Sequence, residues 1–217
     1  MRLFTYFKIY AGLTKNELLK YYKENKITVN GKKEGIRYIV KDSDIIMLDG
    51  KIINSFPFEY YLYYKPKGIL SIINDSKESY INNINIKAKM SLAGRLDKDS
   101  EGLMILTNDG KFINELMKND NKIEKEYIVT LKYPITDEFM LDITKSHILR
   151  NKPTTPIIAK KIDEYTVSMI LFEGFYHQIR KIVIMSKNSV VGLKRIRINN
   201  YVLGDLKPGD IKKLPDK

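Results

Sequence analysis

Gly94-Arg95-Leu96-Asp97-Lys98-Asp99-Ser100-Glu101-Gly102 is the most unusual run of this sequence, because it places five charged residues between two glycines. It leads directly into Leu103-Met104-Ile105-Leu106-Thr107, a short and mostly apolar run that predicts a buried strand. Asn108-Asp109-Gly110 then predicts a turn into a helix. A carboxylate held rigidly between glycines at the start of a strand is well placed for a functional site. Asp, Gly and Ser are also ordinary in a solvated turn that Asp97 or Asp99 caps, so composition alone leaves both interpretations open.

The sequence around this run combines long strands with a few helices. Strands are predicted at residues 60–64, 127–131, 157–161 and 165–172, and an extended tail is predicted at 193–203. Helices are predicted after Gly110 and over residues 177–187, where Ile179, Ile182 and Val183 share one face. This pattern predicts an α+β domain over residues 60–217, built around a mixed, mainly antiparallel sheet.

Residues 1–54 have the pattern of a separate small module. A first helix is predicted from apolar residues on one face, and it ends at Gly12. Thr14-Lys15-Asn16-Glu17 has the form of a capping box and predicts a second helix over residues 15–25. Asn30-Gly31 and Asp49-Gly50 predict tight turns beside short strands. Residues 54–58 are predicted to form a linker, because Pro57 restricts the residue before it.

The balance of charge narrows the classes of partner. The 217 residues carry 38 Lys+Arg against 26 Asp+Glu, a net charge of +12. Such an excess attracts polyanions, nucleic acids among them, through long-range electrostatics and counterion release. Solvated lysines spread over every face of the protein would give the same net charge. No basic amphipathic helix with an apolar stripe stands out, so a membrane partner is not expected.

Composition also excludes several kinds of chemistry. Cysteine is absent, which excludes disulfides and thiolate chemistry. His147 and His177 are the only histidines and stand 30 positions apart, so no metal site is expected. The first residues lack the apolar core of a signal peptide, and no window approaches about 18 apolar residues. We therefore expect a soluble, cytoplasmic protein.

Four blocks of the chain together resemble the ribosomal-RNA pseudouridine synthases. In order, the blocks are Tyr63-Tyr64-Lys65-Pro66-Lys67-Gly68, the run from Gly94 to Gly110, Lys125-Glu126-Tyr127-Ile128-Val129 and Glu173-Gly174-Phe175-Tyr176-His177-Gln178-Ile179-Arg180-Lys181. The residues Tyr176-His177-Gln178 of the last block resemble those of the branch that modifies small-subunit rRNA. The N-terminal module, whose helices are followed by Ile27-Thr28-Val29-Asn30-Gly31, is similar to the S4-type RNA-binding domain. The resemblance covers nearly the whole chain, and four ordered blocks are far more specific than any one of them.

This resemblance implies an enzyme that isomerises uridine to pseudouridine in RNA. The bond from ribose C1′ to uracil N1 breaks, the base turns, and the base rejoins the ribose through C5. The reaction involves no redox change and requires no metal or cofactor, but it needs one ionised carboxylate near C1′. By its place in the motif that carboxylate is Asp97, which either attacks C1′ or removes the ribose 2′ proton. Asp99 is its lower-ranked competitor.

The resemblance also assigns the residues around the carboxylate. Arg180 matches the arginine that pairs with the aspartate, and Tyr127 matches the tyrosine that packs on the target base. Arg95 matches an arginine that fills space around the nucleotide flipped out of the RNA. Without the resemblance, Arg180 would be interpreted as a helix-surface arginine, Tyr127 as a core residue, and Arg95 as a phosphate contact or loop ion pair.

Three further residues are expected at the substrate. His177 either orders the helix of Arg180 or touches RNA, Gln178 contacts the substrate, and Leu193 lines the pocket. The sequence departs from the family pattern at Lys15-Asn16, where adjacent arginines are usual. This implies that the N-terminal module makes fewer bidentate hydrogen bonds to phosphate. The sequence also departs at Lys181-Ile182-Val183-Ile184, where further basic and aromatic residues are common, so altered helix packing is expected.

Taken together, these observations predict a monomeric, cofactor-free isomerase of two domains, 1–54 and 60–217. The expected partner is small-subunit ribosomal RNA, either naked or within an assembly intermediate. The competing hypothesis is a non-catalytic RNA-binding or ribosome-assembly factor with the same fold. Release of tritium from RNA that contains 5-tritiated uridine distinguishes the two, because binding alone does not exchange the proton at C5.

Overall fold

The chain divides after Phe58 into two units, Met1–Phe58 and Glu59–Lys217. The structure, a computed structural model, describes residues 1–41, 43–54, 58–72, 90–117 and 123–215. Residues 55–57, at the centre of the predicted linker, lie outside the described residues. No helix in the described part combines the length and the apolar character that crossing a membrane requires.

The N-terminal unit consists of two helices followed by a small antiparallel sheet. Its elements are α1 (Leu3–Tyr10), α2 (Lys15–Lys23), β1 (Ile27–Val29), β2 (Ile46–Leu48) and β3 (Lys51–Ile52). The predicted capping box is present: Glu17 accepts a 2.8 Å hydrogen bond from the Thr14 backbone N–H, and the Thr14 hydroxyl accepts one from the Glu17 backbone N–H. The core is formed by buried apolar side chains of both helices and the sheet, namely Leu3, Phe7, Leu18, Ile27, Val29 and Ile46.

Both predicted tight turns form, but they connect the strands differently. Asn30-Gly31 and Asp49-Gly50 all have positive φ, between 49° and 77°, as such turns require. The Asp49-Gly50 turn joins β2 to β3. After Asn30-Gly31 only an isolated bridge from Val29 to Lys32 follows, and β1 instead pairs with β2.

The second unit is an α+β domain built on one large sheet, which confirms the predicted fold class. Its helices are α3 (Gly110–Met117), α4 (Asp137–Ile143) and α5 (Gln178–Met185). Its strands are β4 (Tyr60–Lys65), β5 (Ser91–Ala93), β6 (Glu101–Thr107), β7 (Lys125–Leu131), β8 (Ile148–Leu149), β9 (Lys152–Pro153), β10 (Ile158–Lys161), β11 (Thr166–Leu171), β12 (Val190–Ile198), β13 (Tyr201–Val202) and β14 (Ile211–Lys213).

The sheet is mixed and mainly antiparallel, as the sequence predicted. The described strands run in the order β10-β11-β7-β12-β6-β4-β14, with β13 beside β12 and β5 beside β6. Among these pairs only β12 and β6 are parallel. Strands β8 and β9 form a separate hairpin. Helix α5 packs against the sheet through its predicted apolar face, since Ile179, Ile182 and Val183 belong to one core with Val129 and Met169.

The parallel pair brings two backbones unusually close at Gly102. In that pair Gly102 lies opposite Arg195, and Gly102 has a φ of +110°. A Cβ added to Gly102 would lie 2.2 Å from the carbonyl oxygen of Arg195. Both the conformation and the contact therefore require glycine at the point where the charged run enters β6.

We expect Gly102→Ala to lower the free energy of unfolding by roughly 2–4 kcal/mol, because the methyl group clashes with backbone and the positive φ adds strain. Chemical denaturation measures this change. Gly110→Ala is the matched control, since a Cβ there meets no heavy atom within 4 Å at the start of α3. It should be neutral or stabilise the protein by up to about 1 kcal/mol. Equal unfolding free energies for the two variants would contradict the proposed close approach.

Candidate active site

The second unit contains a cavity of about 750 Å³ at the point where the charged run, the sheet and the start of α5 meet. All seven residues that the sequence singled out for the site line this one cavity, although they come from distant parts of the chain. They are Arg95, Asp97, Tyr127, His177, Gln178, Arg180 and Leu193. Asp99 lines it too, so position in the cavity alone does not separate the two carboxylates.

The loop that carries Asp97 is fixed through its backbone. The Ser71 hydroxyl donates to the Leu96 carbonyl at 2.7 Å and accepts from the Leu96 N–H at 3.1 Å. The Gly68 N–H donates to the Lys98 carbonyl at 2.8 Å, and the Ser100 N–H donates to the Asp97 carbonyl at 3.1 Å. The side chain of Asp97 remains 39% exposed, so the carboxylate faces the cavity while the backbone around it is held.

Lys65 supports the same loop from below, and the sequence analysis did not single it out. Its side chain is fully buried, and its ammonium donates to the carbonyls of Pro66 at 2.8 Å and Ile69 at 2.7 Å. A longer 3.4 Å contact reaches the carbonyl of Lys98. Burial lowers the pKa of Lys65 to about 8, and the carboxylate of Asp97 opposes this shift most. The available signal in the sequence was the position of this lysine at the end of a strand of apolar and aromatic residues.

The residue paired with Asp97 is His177. Its Nε2 lies 3.4 Å from Oδ1 of Asp97. His177 precedes α5 in a left-handed conformation, with φ of +54° and ψ of +34°. The ring also stacks on that of Tyr176, with 3.9 Å between centroids and an angle of 16° between planes. These two constraints hold the imidazole beside the carboxylate.

Arg180 lies in the cavity but not in the pairing that the resemblance implied. Its guanidinium donates to the Ser100 hydroxyl at 3.4 Å, and the described salt bridges include none between Arg180 and Asp97. At the start of α5, His177 has a left-handed backbone and its ring lies beside Asp97, whereas Arg180 reaches Ser100. Arg180 therefore contacts the loop of Asp97 rather than its carboxylate.

The sheet forms the floor of the cavity. Tyr127 on β7 lies opposite Arg195 on β12, and Leu193 lies two residues before Arg195 on the same strand. Tyr127 packs against both apolar cores that adjoin the floor. Leu193 is 8% exposed and belongs to the core beneath α5.

The remaining predicted residues lie at the rim and at the turn before α5. Gln178 is buried, and its amide accepts from the Phe175 N–H at 3.0 Å and donates to Glu173 at 3.1 Å. Its amide groups therefore order this turn, and a contact with substrate stays a prediction. Arg95 is exposed at the cavity edge. Arg150, which the sequence did not indicate, reaches the same edge from the turn between β8 and β9 and lies 5.4 Å from the Tyr176 ring centre.

The lining of the cavity is electropositive. Six basic residues line it (Arg95, Lys98, Lys125, Arg150, Arg180 and Arg195), against three acidic ones (Asp97, Asp99 and Glu173). An excess of three positive charges suits a polyanionic substrate. The described residues contain no group of three or more His, Asp or Glu side chains that could hold a metal ion.

The buried ammonium of Lys65 predicts a specific dependence of stability on pH. Its pKa of about 8 lies below the ordinary 10.5, so the folded state binds this proton less tightly than the unfolded state does. The cost of burying the charge is present below pH 8 and is relieved as the pH rises towards 10.5. We therefore expect the unfolding free energy of the parent to rise relative to that of Lys65→Met between pH 7.5 and about 10. Denaturation of both proteins at the two pH values measures this, and a constant difference would contradict it.

Comparison with known proteins gives one consistent result. The sequence profile described as RNA pseudouridylate synthase matches residues 59–184. The chain is 32% identical over 223 residues to "Ribosomal small subunit pseudouridine synthase A" of Pasteurella multocida (strain Pm70), covering 99% of this chain and 96% of that protein. It is 31% identical to "Dual-specificity RNA pseudouridine synthase RluF" of Shigella flexneri, covering 100% of this chain and 76% of that protein.

A solved structure agrees with the sequence comparisons. The crystal structure of a pseudouridylate synthase superimposes with a TM-score of 0.71 at 27% identity, and the match covers 99% of this chain and 96% of that one. The family match spans more than half of the chain and includes the loop of Asp97, the floor strand of Tyr127 and the helix of Arg180. This confirms the resemblance drawn from the sequence blocks: the chain belongs to the RNA pseudouridylate synthase family.

Proposed function

We propose that this protein isomerises a uridine of ribosomal RNA to pseudouridine, with Asp97 as the essential carboxylate. The observation that carries the proposal is the single cavity in which Asp97, Tyr127 and Arg180 converge from separate motifs. Small-subunit rRNA is the proposed substrate, supported by the spelling Tyr176-His177-Gln178 and by the name of the Pasteurella relative. The name of the RluF relative shows that similar proteins differ in specificity.

The geometry suits a carboxylate that must stay ionised under a nucleotide. A base that enters the cavity covers Asp97 and removes water from it, and this loss of hydration favours the protonated form. The imidazole of His177, when protonated, and the guanidinium of Arg180 are cations beside this loop. They favour the ionised carboxylate, which either attacks C1′ or removes the 2′ proton of the ribose.

The other cavity residues provide room and surface for a flipped nucleotide. A volume of about 750 Å³ is within the usual range for small-molecule pockets, and it accommodates a nucleoside with its phosphate. In this proposal the base packs on Tyr127 and against Leu193. Arg95 occupies the rim, where it fills the space left by the extruded nucleotide or contacts a phosphate.

The N-terminal unit is proposed to be an S4-like module that docks on folded RNA. Residues Met1–Phe58 contain eleven basic and six acidic residues. The exposed lysines follow both helices and the turns of the sheet, namely Lys8, Lys15, Lys20, Lys23, Lys32, Lys33, Lys41 and Lys51. We further propose that the protein acts as a cytoplasmic monomer, without a cofactor, on free rRNA or on a small-subunit assembly intermediate.

The two carboxylates of the charged run test the catalytic assignment. Asp97→Asn keeps the shape but removes the charge, so we expect no detectable tritium release from 5-tritiated-uridine rRNA, with RNA binding retained. Asp99→Asn removes a charge two positions away in the same cavity and should keep most of the activity. If the two variants behaved the other way round, Asp99 would be the catalytic group. If the parent bound rRNA and released no tritium, a non-catalytic RNA-binding or assembly factor would replace the proposed enzyme.

Deleting residues 1–54 tests the role of the N-terminal unit. The remaining chain should fold and bind rRNA more weakly, and the logarithm of its affinity should fall less steeply with the logarithm of salt concentration, because lysine–phosphate contacts are lost. Binding titrations at several salt concentrations measure the slope, and circular dichroism checks the fold. An unchanged slope would show that the N-terminal lysines do not touch RNA, and an unfolded fragment would contradict the domain boundary.

A further inference from the structure

Two cations on the floor of the cavity have no part in the chemistry of the carboxylate. Lys125 lies two residues before Tyr127 on β7, so both side chains are on the same face of the sheet. Arg195 lies directly across from Tyr127 on β12. All three line the cavity. A base stacked on Tyr127 would therefore have Lys125 on one side and Arg195 on the other.

Neither cation forms a salt bridge with a carboxylate of the described residues. Arg195 is 2% exposed, and its guanidinium donates to the carbonyls of Leu103 and Arg95 and to the sulfur of Met104. The ammonium of Lys125 contacts the carbonyl of Ile123 at 3.4 Å, a long hydrogen bond. The salt bridges among the described residues include none to Lys125 or Arg195. Burial and the charge of Arg195 lower the pKa of Lys125, and Glu173 opposes this shift.

Two like charges on one partly buried surface repel each other, and an anion placed between them removes that cost. Arg195 is held in place, because its guanidinium donates to two backbone carbonyls and to the sulfur of Met104. Lys125 has donors to spare, because an ammonium carries three N–H groups and the contact with Ile123 uses one. The floor is thus built to receive negative charge that appears during the reaction rather than to hold a resident carboxylate.

The reaction generates such a charge on the base. When the C1′–N1 bond breaks, its electron pair remains on uracil, and the resulting anion spreads over N1, O2 and O4. On either route Asp97 acts on the ribose: it bonds to C1′, or it takes the 2′ proton to leave a glycal. The turned base then forms the C5–C1′ bond while Asp97 either leaves C1′ or returns the proton to C2′, after which C5 loses its proton to solvent and N1 gains one.

Resting on the function proposed above, we propose that Lys125 donates a hydrogen bond to the departing uracil anion, and that Arg195 stabilises this anion electrostatically from beneath. Lys125 is then a catalytic residue and Arg195 a positioning residue that also fixes the loop of Asp97. Donors that are oriented before the reaction, in a site that excludes water, stabilise developing charge far more than they would in water. The cavity thereby places different groups near the two negative charges: His177 lies beside the Asp97 carboxylate and Arg180 beside its loop, whereas Lys125 and Arg195 lie where the base would bind.

The test compares two leaving groups in the same variant. Single-turnover loss of the N1-linked nucleoside is measured with saturating enzyme on rRNA that contains either uridine or 5-fluorouridine. Fluorine at C5 stabilises the uracil anion, so this substrate depends less on the protein for that purpose. Lys125→Met should slow the uridine reaction about 100-fold and the 5-fluorouridine reaction less than about 10-fold. Lys125→Arg, which keeps the charge, should recover most of the loss.

The control is Lys160→Met, which removes one exposed positive charge from strand β10, outside the cavity, and should match the parent on both substrates. The ratio of the two rates within one variant does not depend on how much of the protein is folded. An equal loss on both substrates would reduce Lys125 to a packing residue, and no loss on either would remove it from the reaction. Both results overturn this inference while the parent remains active. A parent that converts no uridine would overturn the proposed function and this inference together.

Discussion

The structure of the site depends on one buried guanidinium. Arg195 donates to the carbonyl of Leu103 at 2.7 Å and to that of Arg95 at 3.5 Å, so it joins the loop of Asp97 to two strands of the sheet. This contact requires the backbones of β6 and β12 to approach closely, which the glycine at position 102 permits. Lys65 and Ser71 hold the same loop from the other side. A carboxylate on such a loop has little freedom to move, as catalysis at one ribose carbon requires.

The arrangement separates the functions of the charged residues. The loop and the start of α5 place an imidazole and a guanidinium around the carboxylate. The sheet places an aromatic ring between two further cations, at the level where the base would lie. A reaction that begins with a charge on the enzyme and passes through a charge on the base needs stabilisation at both places. The sheet carries the groups that would stabilise the charge on the base, and it is rigid because its strands are fixed by hydrogen bonds along their length.

Local signals in the sequence predicted much of the fold. The capping box at Thr14 and Glu17, the two turns with glycine, the apolar strand before Asn108 and the apolar face of α5 all depend on interactions within a few residues. Helix α4 was missed although Thr136 caps it, because the helix is only seven residues long. The partner of β1 was also missed, since strand pairing over long separations leaves no local mark.

The residues that the sequence blocks indicated line one cavity, and their catalytic roles stay predictions. The motif blocks indicated Asp97, Tyr127 and Arg180, and the structure brings them to one cavity. The pairing of Asp97 with His177 follows from a left-handed residue before α5, which the sequence does not reveal. Lys65 contacts the loop of Asp97 from the buried end of β4. Arg150 lies in the turn between β8 and β9 and contacts the ring of Tyr176. Their importance becomes visible only when distant segments are packed together.

We propose that the protein converts a uridine of ribosomal RNA to pseudouridine through Asp97. The most direct measurement is a map of pseudouridines in rRNA from cells that lack the protein, and from the same cells supplied with the parent or with Asp97→Asn. We expect that a defined pseudouridine in small-subunit rRNA disappears without the protein and returns with the parent but not with the variant. An unchanged map in the deficient cells, or restoration by Asp97→Asn, would contradict it.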